Sequence, residues 1–476
     1  MNFVLLDIAL LIIFLVVSGF FLYRNRANLK KEGWFLLYKT SWGVKLIDRI
    51  GKKYQRTLKI ASYISIILGV ILVVLVFIMM IQTVYLYLTT AIAETIRAPP
   101  IMPLIPYFPQ IFNIQSIFPP FYFIYFIIAI LIVATTHEFF HGIFAARYKV
   151  KIKSTGFAFL KYFPAFFGAF VEQDDNQMKK KTKFEQMSIL SAGVFANVLM
   201  VLIFGIIFIL FFKVAFVASG VSFDSYAYNF VDLTNITEVN GINVTNFSIA
   251  GIGLLMNEKG FNQIKSNGDY LLSKSDFEKQ NLTIAQYNKV LIYYDSPAIK
   301  QNLSGLIYSI NGIKINSREK LSEELNKYSP GEKVVITTLN GEGNHLDKEV
   351  TLGKNPQTEK AWLGVGFLSR ETKGIKGIIA KSFEFFKKPN VYYTPRSVLS
   401  QFIFDLLWWI VLINFAVALF NMLPLGMLDG GRFFYLGILS VTKSEKFAEK
   451  SFKFMTYFWL TIILVLMVKW VFVFFF

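Results

Sequence analysis

The sequence has no cysteine, and only three of its 476 residues are histidine: His137, His141 and His345. Disulfides, thiolate metal sites and cysteine nucleophiles are therefore excluded. Any zinc site must be built from these few imidazoles and from carboxylates. Charge is also scarce, at 17% of residues, and it is lopsided, with 49 Lys and Arg against 31 Asp and Glu. A basic chain suggests nucleic acid as one partner. Here the basic residues gather in short loops between apolar runs, so we expect no nucleic acid. The first apolar run, about residues 3–23, has no basic segment before it and is too long for a signal-peptide core, so it reads as a membrane span.

What is abundant is apolar and aromatic: 54% hydrophobic residues, 51 of them Phe. The apolar residues form runs long enough to cross a bilayer, which takes about 20 residues each. Six spans can be marked, at roughly 3–23, 60–90, 120–146, 188–217, 398–423 and 454–476. The expected fold is a polytopic α-helical membrane protein in a lipid bilayer. Residues 24–59 hold 11 Lys/Arg against two acids, and residues 147–183 nine against three. Residues 91–118 hold one of each sign and several prolines. The positive-inside rule then puts the first two loops in the cytoplasm and both termini outside. The stretch with Trp34, Phe35, Leu36, Leu37 and Trp42 is either an interfacial segment or a packed loop.

Residues 218–390 are the one large polar insert, and they fall on the outer side. Five Asn-X-Ser/Thr sequons, at Asn235, Asn243, Asn246, Asn281 and Asn302, lie there and nowhere else. Runs such as 333–339 read as strands. Ile236–Ile242 echoes Ile307–Ile313, each reading as strand, Asn-Gly turn, strand. The echo is either a shared hairpin signal or a duplicated domain. The expected domains are 1–118 (two spans and a basic loop), 119–217 (first part of the core), 218–390 (the insert) and 391–476 (second part of the core and a last span).

The third span contains His137-Glu138-Phe139-Phe140-His141. Positions i and i+4 of a helix share a face, so both imidazoles can reach one ion, and Glu138 can act as general base on its water. A charged group at the centre of a span costs about 2.5–3.5 kcal/mol, which metal binding would explain. The alternative is a hydrogen-bonded cluster between helices. A catalytic zinc commonly takes a third protein ligand and keeps one position open. His345 lies in the insert, in an expected exposed turn beside Gly341, Gly343 and Asn344. Asp405 sits near the outer end of the fifth span. Asp429 follows that span, after Pro424 and before Gly430-Gly431, where proline ends the helix and the glycines permit a chain reversal. Irregular backbone at membrane depth must line a cavity or be buried. Asp429 is the expected third ligand.

These residues resemble the site-2 protease family: HExxH in one span, then Asn421, Pro424, Asp429 and Gly430 in the pattern Asn-x-x-Pro-x-x-x-x-Asp-Gly. Ser191–Asn197 is similar to the family's Gly-x-x-x-Asn segment, carried here by Gly193 and Asn197, without the proline often found after the glycine. The resemblance implies one zinc ion per chain on His137, His141 and Asp429. It further implies Glu138 as base, Asn421 as a substrate or oxyanion donor, and the transmembrane helix of another protein as substrate. Gly193 reads as a small residue for close helix packing. In the family a β-hairpin dips into the membrane near the active site, and the apolar stretch Phe163–Val171 corresponds to it. A plain hydrophobic loop is the other reading. The insert resembles PDZ domains, best over 285–355, with an interrupted earlier copy. The implied function is zinc-dependent intramembrane proteolysis in a cell membrane, with the active site nearer the cytoplasmic face. The rivals are an inactive scaffold binding partners through the PDZ-like insert, and a metal transporter, which would show paired inverted halves.

Overall fold

A computed structural model describes residues 3–90, 98–340, 344–367 and 386–475. The chain forms two compact units, Met1–Phe211 with Gln401–Phe476, and Phe212–Ser400. Among the described residues, six helices are long and apolar enough to cross a membrane. We label them with two shorter ones: α1 (Phe3–Arg24), α2 (Val44–Lys53), α3 (Gln55–Thr89), α4 (Phe123–Arg147), α5 (Lys183–Ala215), α6 (Val398–Asn421), α7 (Asp429–Thr442) and α8 (Glu445–Phe475). The six spans coincide with the apolar runs of the sequence, and three of them, α3, α5 and α8, start a turn or more earlier.

Helix α4 is the axis of the first unit. Its N-terminal half packs in one apolar core, with Phe121, Phe126, Trp409 and Ile413 buried together. Its C-terminal half packs in another, with Phe144, Ile189, Met422 and Trp459. His137 and His141 fall between the two. The first N–H groups of α4 lie deep in apolar surroundings and have no partner within the helix. Asp7 of α1 supplies one, accepting from Phe123 N (2.7 Å) and Ile124 N (3.0 Å) and from the hydroxyl of Tyr107.

The basic segment 24–59, with Trp34 and Trp42, is more than a plain packed loop. It folds into a hairpin of β1 (Leu29–Glu32) and β2 (Phe35–Thr40), followed by α2. Strand β2 pairs antiparallel with β3 (Ile152–Leu160), and β3 with β4 (Phe167–Gln173), giving one sheet in the order β1-β2-β3-β4. Residues 163–171 therefore divide between a turn and the edge strand β4. The sheet lies along α4. Val171 packs at Gly142, and Phe166 meets Phe126 edge-on at 5.5 Å between ring centroids. Those two points are sixteen residues apart on α4, or roughly 24 Å. Helix α2 buries Ile47 against Gly142 and Gly51 against Ala146.

After α6 the chain does not reverse at Gly430-Gly431, as the sequence suggested. The helix stops at Asn421, residues 422–428 make an irregular loop through Pro424, and the two glycines lie in the first turn of α7. A Cβ on Gly430 would come within 2.3 Å of Met422 C, and one on Gly431 within 2.1 Å of Leu425 O. The glycines are there for close approach: the loop backbone folds against the start of α7, which fixes Asp429.

In the second unit, two segments share more than a hairpin. The first runs strand Glu238–Val239, strand Ile242–Asn243, helix Ile249–Leu254, strands Phe261–Lys265 and Asp269–Ser273. The second runs strand Leu306–Ile310, strand Ile313–Lys314, helix Arg318–Leu325, strands Lys333–Leu339 and His345–Thr351. Their pairings match one for one. Both turns put Asn and Gly at positive φ, at Asn240-Gly241 and Asn311-Gly312. In each, the turn Asn bonds the same place on the third strand. Gln263 N donates to Asn240 Oδ1 at 3.0 Å, and Val335 N to Asn311 Oδ1 at 2.8 Å. Each segment has its own core, around Val239, Ile264 and Leu272, and around Ile310, Ile336 and Val350. His345 opens a strand rather than sitting in a turn; it is exposed, against the Tyr308 ring.

Candidate metal centre

One turn of α4 separates His137 from His141, and both rings are buried. Their Nε2 atoms are 3.1 Å apart. Asp429, the first residue of α7, brings Oδ2 to 3.1 Å from His141 Nε2 and 3.3 Å from His137 Nε2. Among the described residues this is the one trio of His, Asp or Glu close enough to share an ion. Zinc–nitrogen and zinc–oxygen bonds of about 2.0–2.1 Å at tetrahedral angles put neighbouring ligand atoms about 3.3 Å apart. The triangle of Nε2, Nε2 and Oδ2 has that size, so the three residues fit a tetrahedral ion with one position left open.

Helix α5 shapes the site from the other side. His141 Nδ1 lies 2.7 Å from the Ile189 carbonyl, which can only accept. His141 thus keeps a proton on Nδ1, which leaves Nε2 as the nitrogen that would coordinate an ion. Four residues on, Gly193 faces the gap between the rings: a Cβ there would sit 2.4 Å from each Nε2. The sequence suggested helix packing for Gly193, and the groups it lets come close are the two imidazoles of α4, whose space its hydrogen clears. Four further on, the Asn197 amide lies 3.0 Å from His137 Nδ1. Asn197 is fully buried, and its side-chain oxygen has no partner. Residues at i, i+4 and i+8 share a helix face, so one stripe of α5 serves both rings.

Asn421, the last residue of α6, places its amide nitrogen 3.4 Å from His137 Nε2. Glu138 points between the site and the sheet, and its Oε2 accepts the N–H of Val171 on β4 at 3.1 Å. A cavity of about 350 Å³ opens beside it, lined by Trp42, Ile47, Thr135, Phe157 and Phe170 among others. Pro424 is in the loop before Asp429, and Gly430 is under that loop. Asp405 is buried one helix away, with Gln401 Nε2 at 2.8 Å, and is not among the trio. His345 belongs to the other unit.

Three participants escaped the sequence. The Ile189 carbonyl and the Val171 N–H are backbone groups, which no residue type announces. Asp7 did carry a signal, since a carboxylate inside an apolar run needs an explanation.

Residues 125–466 match peptidase family M50. The match spans most of the chain and includes the trio, so the chain belongs to this family, the site-2 proteases, whose members are zinc metallopeptidases of the membrane. With its six apolar helices it is a multi-pass integral membrane protein. An uncharacterized protein of Methanocaldococcus jannaschii is similar, 25% identical over 408 residues, which is 86% of this chain and 79% of that protein.

Proposed function

We propose that this chain is a zinc-dependent intramembrane endopeptidase, cutting peptide bonds within or near the transmembrane segments of other membrane proteins. The observation that carries the reading is the triangle of His137, His141 and Asp429, sized for one tetrahedral ion and cleared by Gly193. These three residues hold one zinc ion per chain. When bound, zinc supplies Lewis acidity, polarising a carbonyl and lowering the pKa of water toward neutrality. Glu138, next along α4 from His137, takes the proton of the attacking water and returns it to the leaving amide nitrogen. Asn421 donates from its amide to the substrate carbonyl oxygen as charge builds there. Apolar walls on the cavity beside Glu138 suit an unwound apolar segment.

The substrate is thus a transmembrane helix that has lost its helical hydrogen bonds at the cut. The asymmetry of Lys and Arg supports a cytoplasmic position for the loops 24–59 and 147–183, and an outer position for the insert. The insert reads as two PDZ-like copies that filter substrates by the part outside the bilayer, in the membrane of a cell. Glu138→Gln tests the assignment. In sealed vesicles containing a membrane-protein substrate, it should keep zinc and lose cleavage by at least about a hundredfold. Unchanged cleavage would remove Glu138 as base; cleavage that survives removal of zinc would remove the metal-dependent mechanism.

A further inference from the structure

The Ile189–Gly193–Asn197 stripe carries an assignment of its own. His141 is fixed by a carbonyl that accepts from Nδ1. His137, the other ring, meets only the amide of Asn197 at that atom. Oxygen and nitrogen of an amide exchange places by a half-turn about its last bond, and the geometry alone does not tell them apart. With nitrogen toward the ring, Asn197 donates to Nδ1, and the ring proton must be on Nε2. That proton would then point at His141 and Asp429, and Nε2 would have no lone pair to give. With oxygen toward the ring, Asn197 accepts from Nδ1–H, and Nε2 is free to coordinate. Packing does not choose, because the half of the amide turned away from the ring meets no partner: in the first arrangement the Asn197 oxygen is buried alone.

We infer that Asn197 is a positioning residue, holding its side-chain oxygen on Nδ1–H of His137 and so aiming the Nε2 lone pair at the metal position. It does for His137 what the Ile189 carbonyl does for His141. Outer partners of this kind raise ligand basicity and fix the ring, and losing one typically costs 10–100-fold in metal affinity. The inference rests on the hydrolase reading insofar as that reading puts an ion on the trio.

The test compares three full-length proteins in lipid nanodiscs: wild type, Asn197→Leu and Asn197→Asp. Each is stripped of metal, then titrated with zinc against a chromophoric chelator and with cobalt(II) by its visible d–d absorption. Leucine fills the same volume without an acceptor, and aspartate can only accept. Asn197→Leu should bind zinc about 10–100-fold more weakly, and Asn197→Asp within about threefold of wild type or tighter. The tetrahedral cobalt spectrum should persist in the Asp variant and weaken in the Leu variant. The inference is overturned if Asp binds as poorly as Leu, which would make Asn197 a donor or a packing residue. It is equally overturned if Leu binds as well as wild type. A wild-type chain that binds neither ion overturns the metal site itself, and this inference with it. Thermal midpoints without metal separate lost fold from lost binding, and Asn197→Ala replaces the Leu variant should that one not fold.

Discussion

Helix α4 receives two aspartates from other helices, one at its N-terminus and one beside its interior, and the two are opposites. Asp7 is 3% exposed and meets donors only: Phe123 N, Ile124 N and the Tyr107 hydroxyl. Its charge also faces the positive end of the helix dipole. Asp429 meets two imidazole nitrogens, and because Ile189 takes the Nδ1 proton of His141, the facing Nε2 is the atom free to give a lone pair to an ion. A buried carboxylate surrounded by donors is finished, and its role is structural. One that faces lone pairs is incomplete until a cation arrives. Burial and apolar context are common to both; what the neighbours offer separates a cap from a ligand.

The sharpest way to break that distinction is to remove each carboxylate in turn. Asp429→Ala deletes one of three protein ligands, so zinc should bind weaker by on the order of a thousandfold or more, with the fold retained. Asp7→Ala should do the reverse. It strands two helix N–H groups in an apolar setting, at about 1–3 kcal/mol, and leaves zinc affinity alone. Zinc titration and thermal midpoints of the metal-free proteins read both. Release of zinc from a well-folded Asp7→Ala protein would erase the difference between the two aspartates.

Gly193→Ala comes next, and it sets fold against site. In a helix interior, Ala is more favourable than Gly by about 0.8–1 kcal/mol. The new Cβ, however, would sit 2.4 Å from Nε2 of both His137 and His141. Those rings are held on their far sides by Ile189 and Asn197, so they have little freedom to withdraw. The clash, at about 1–3 kcal/mol, exceeds that gain, so the variant should melt somewhat below wild type and bind zinc at least about tenfold more weakly. A variant that binds normally would return Gly193 to plain helix packing.

How much of this was legible depended on the range of the contact. The HExxH spacing is local, and one helical turn turns it into geometry. Asp429 was legible through its context, an acid in an irregular stretch just after an apolar run. The Asn-Gly echo in the insert was legible because positive φ at two successive residues selects those residue types. The role of segment 24–59 was not legible. Strand β2 pairs with residues more than a hundred positions away, and its partner strand β1 is short and carries Lys30 and Lys31, as exposed edges do. Nor was the work of Gly430 and Gly431, since a turn and a close approach both ask for glycine.

The smallest effect belongs to the sheet that reaches Glu138 through Val171. Beside Val171, Glu172 accepts from the Lys39 ammonium at 2.5 Å and from the Ser154 hydroxyl at 2.6 Å, tying β4 to β2 and β3. The ammonium first, and the hydroxyl after it, hold the Glu172 carboxyl below its ordinary value of 4.5. The folded form therefore gains stability from Glu172 at pH above the unfolded value, and that gain is lost as pH falls through the lower folded one. Both partners are partly exposed, 28% and 34%, so the pair contributes less than about 1 kcal/mol. Metal-free Glu172→Gln should melt slightly below wild type near neutral pH, with the gap closing below about pH 4 as wild type also loses the charge. Zinc affinity near neutral pH should stay within about twofold, because the Val171 N–H that reaches Glu138 is a backbone group this substitution leaves in place. A gap that persists into acid would mean the carboxylate is not what joins these strands, and a large loss of zinc would mean the sheet bears on the metal centre more directly than its one contact with Glu138 suggests.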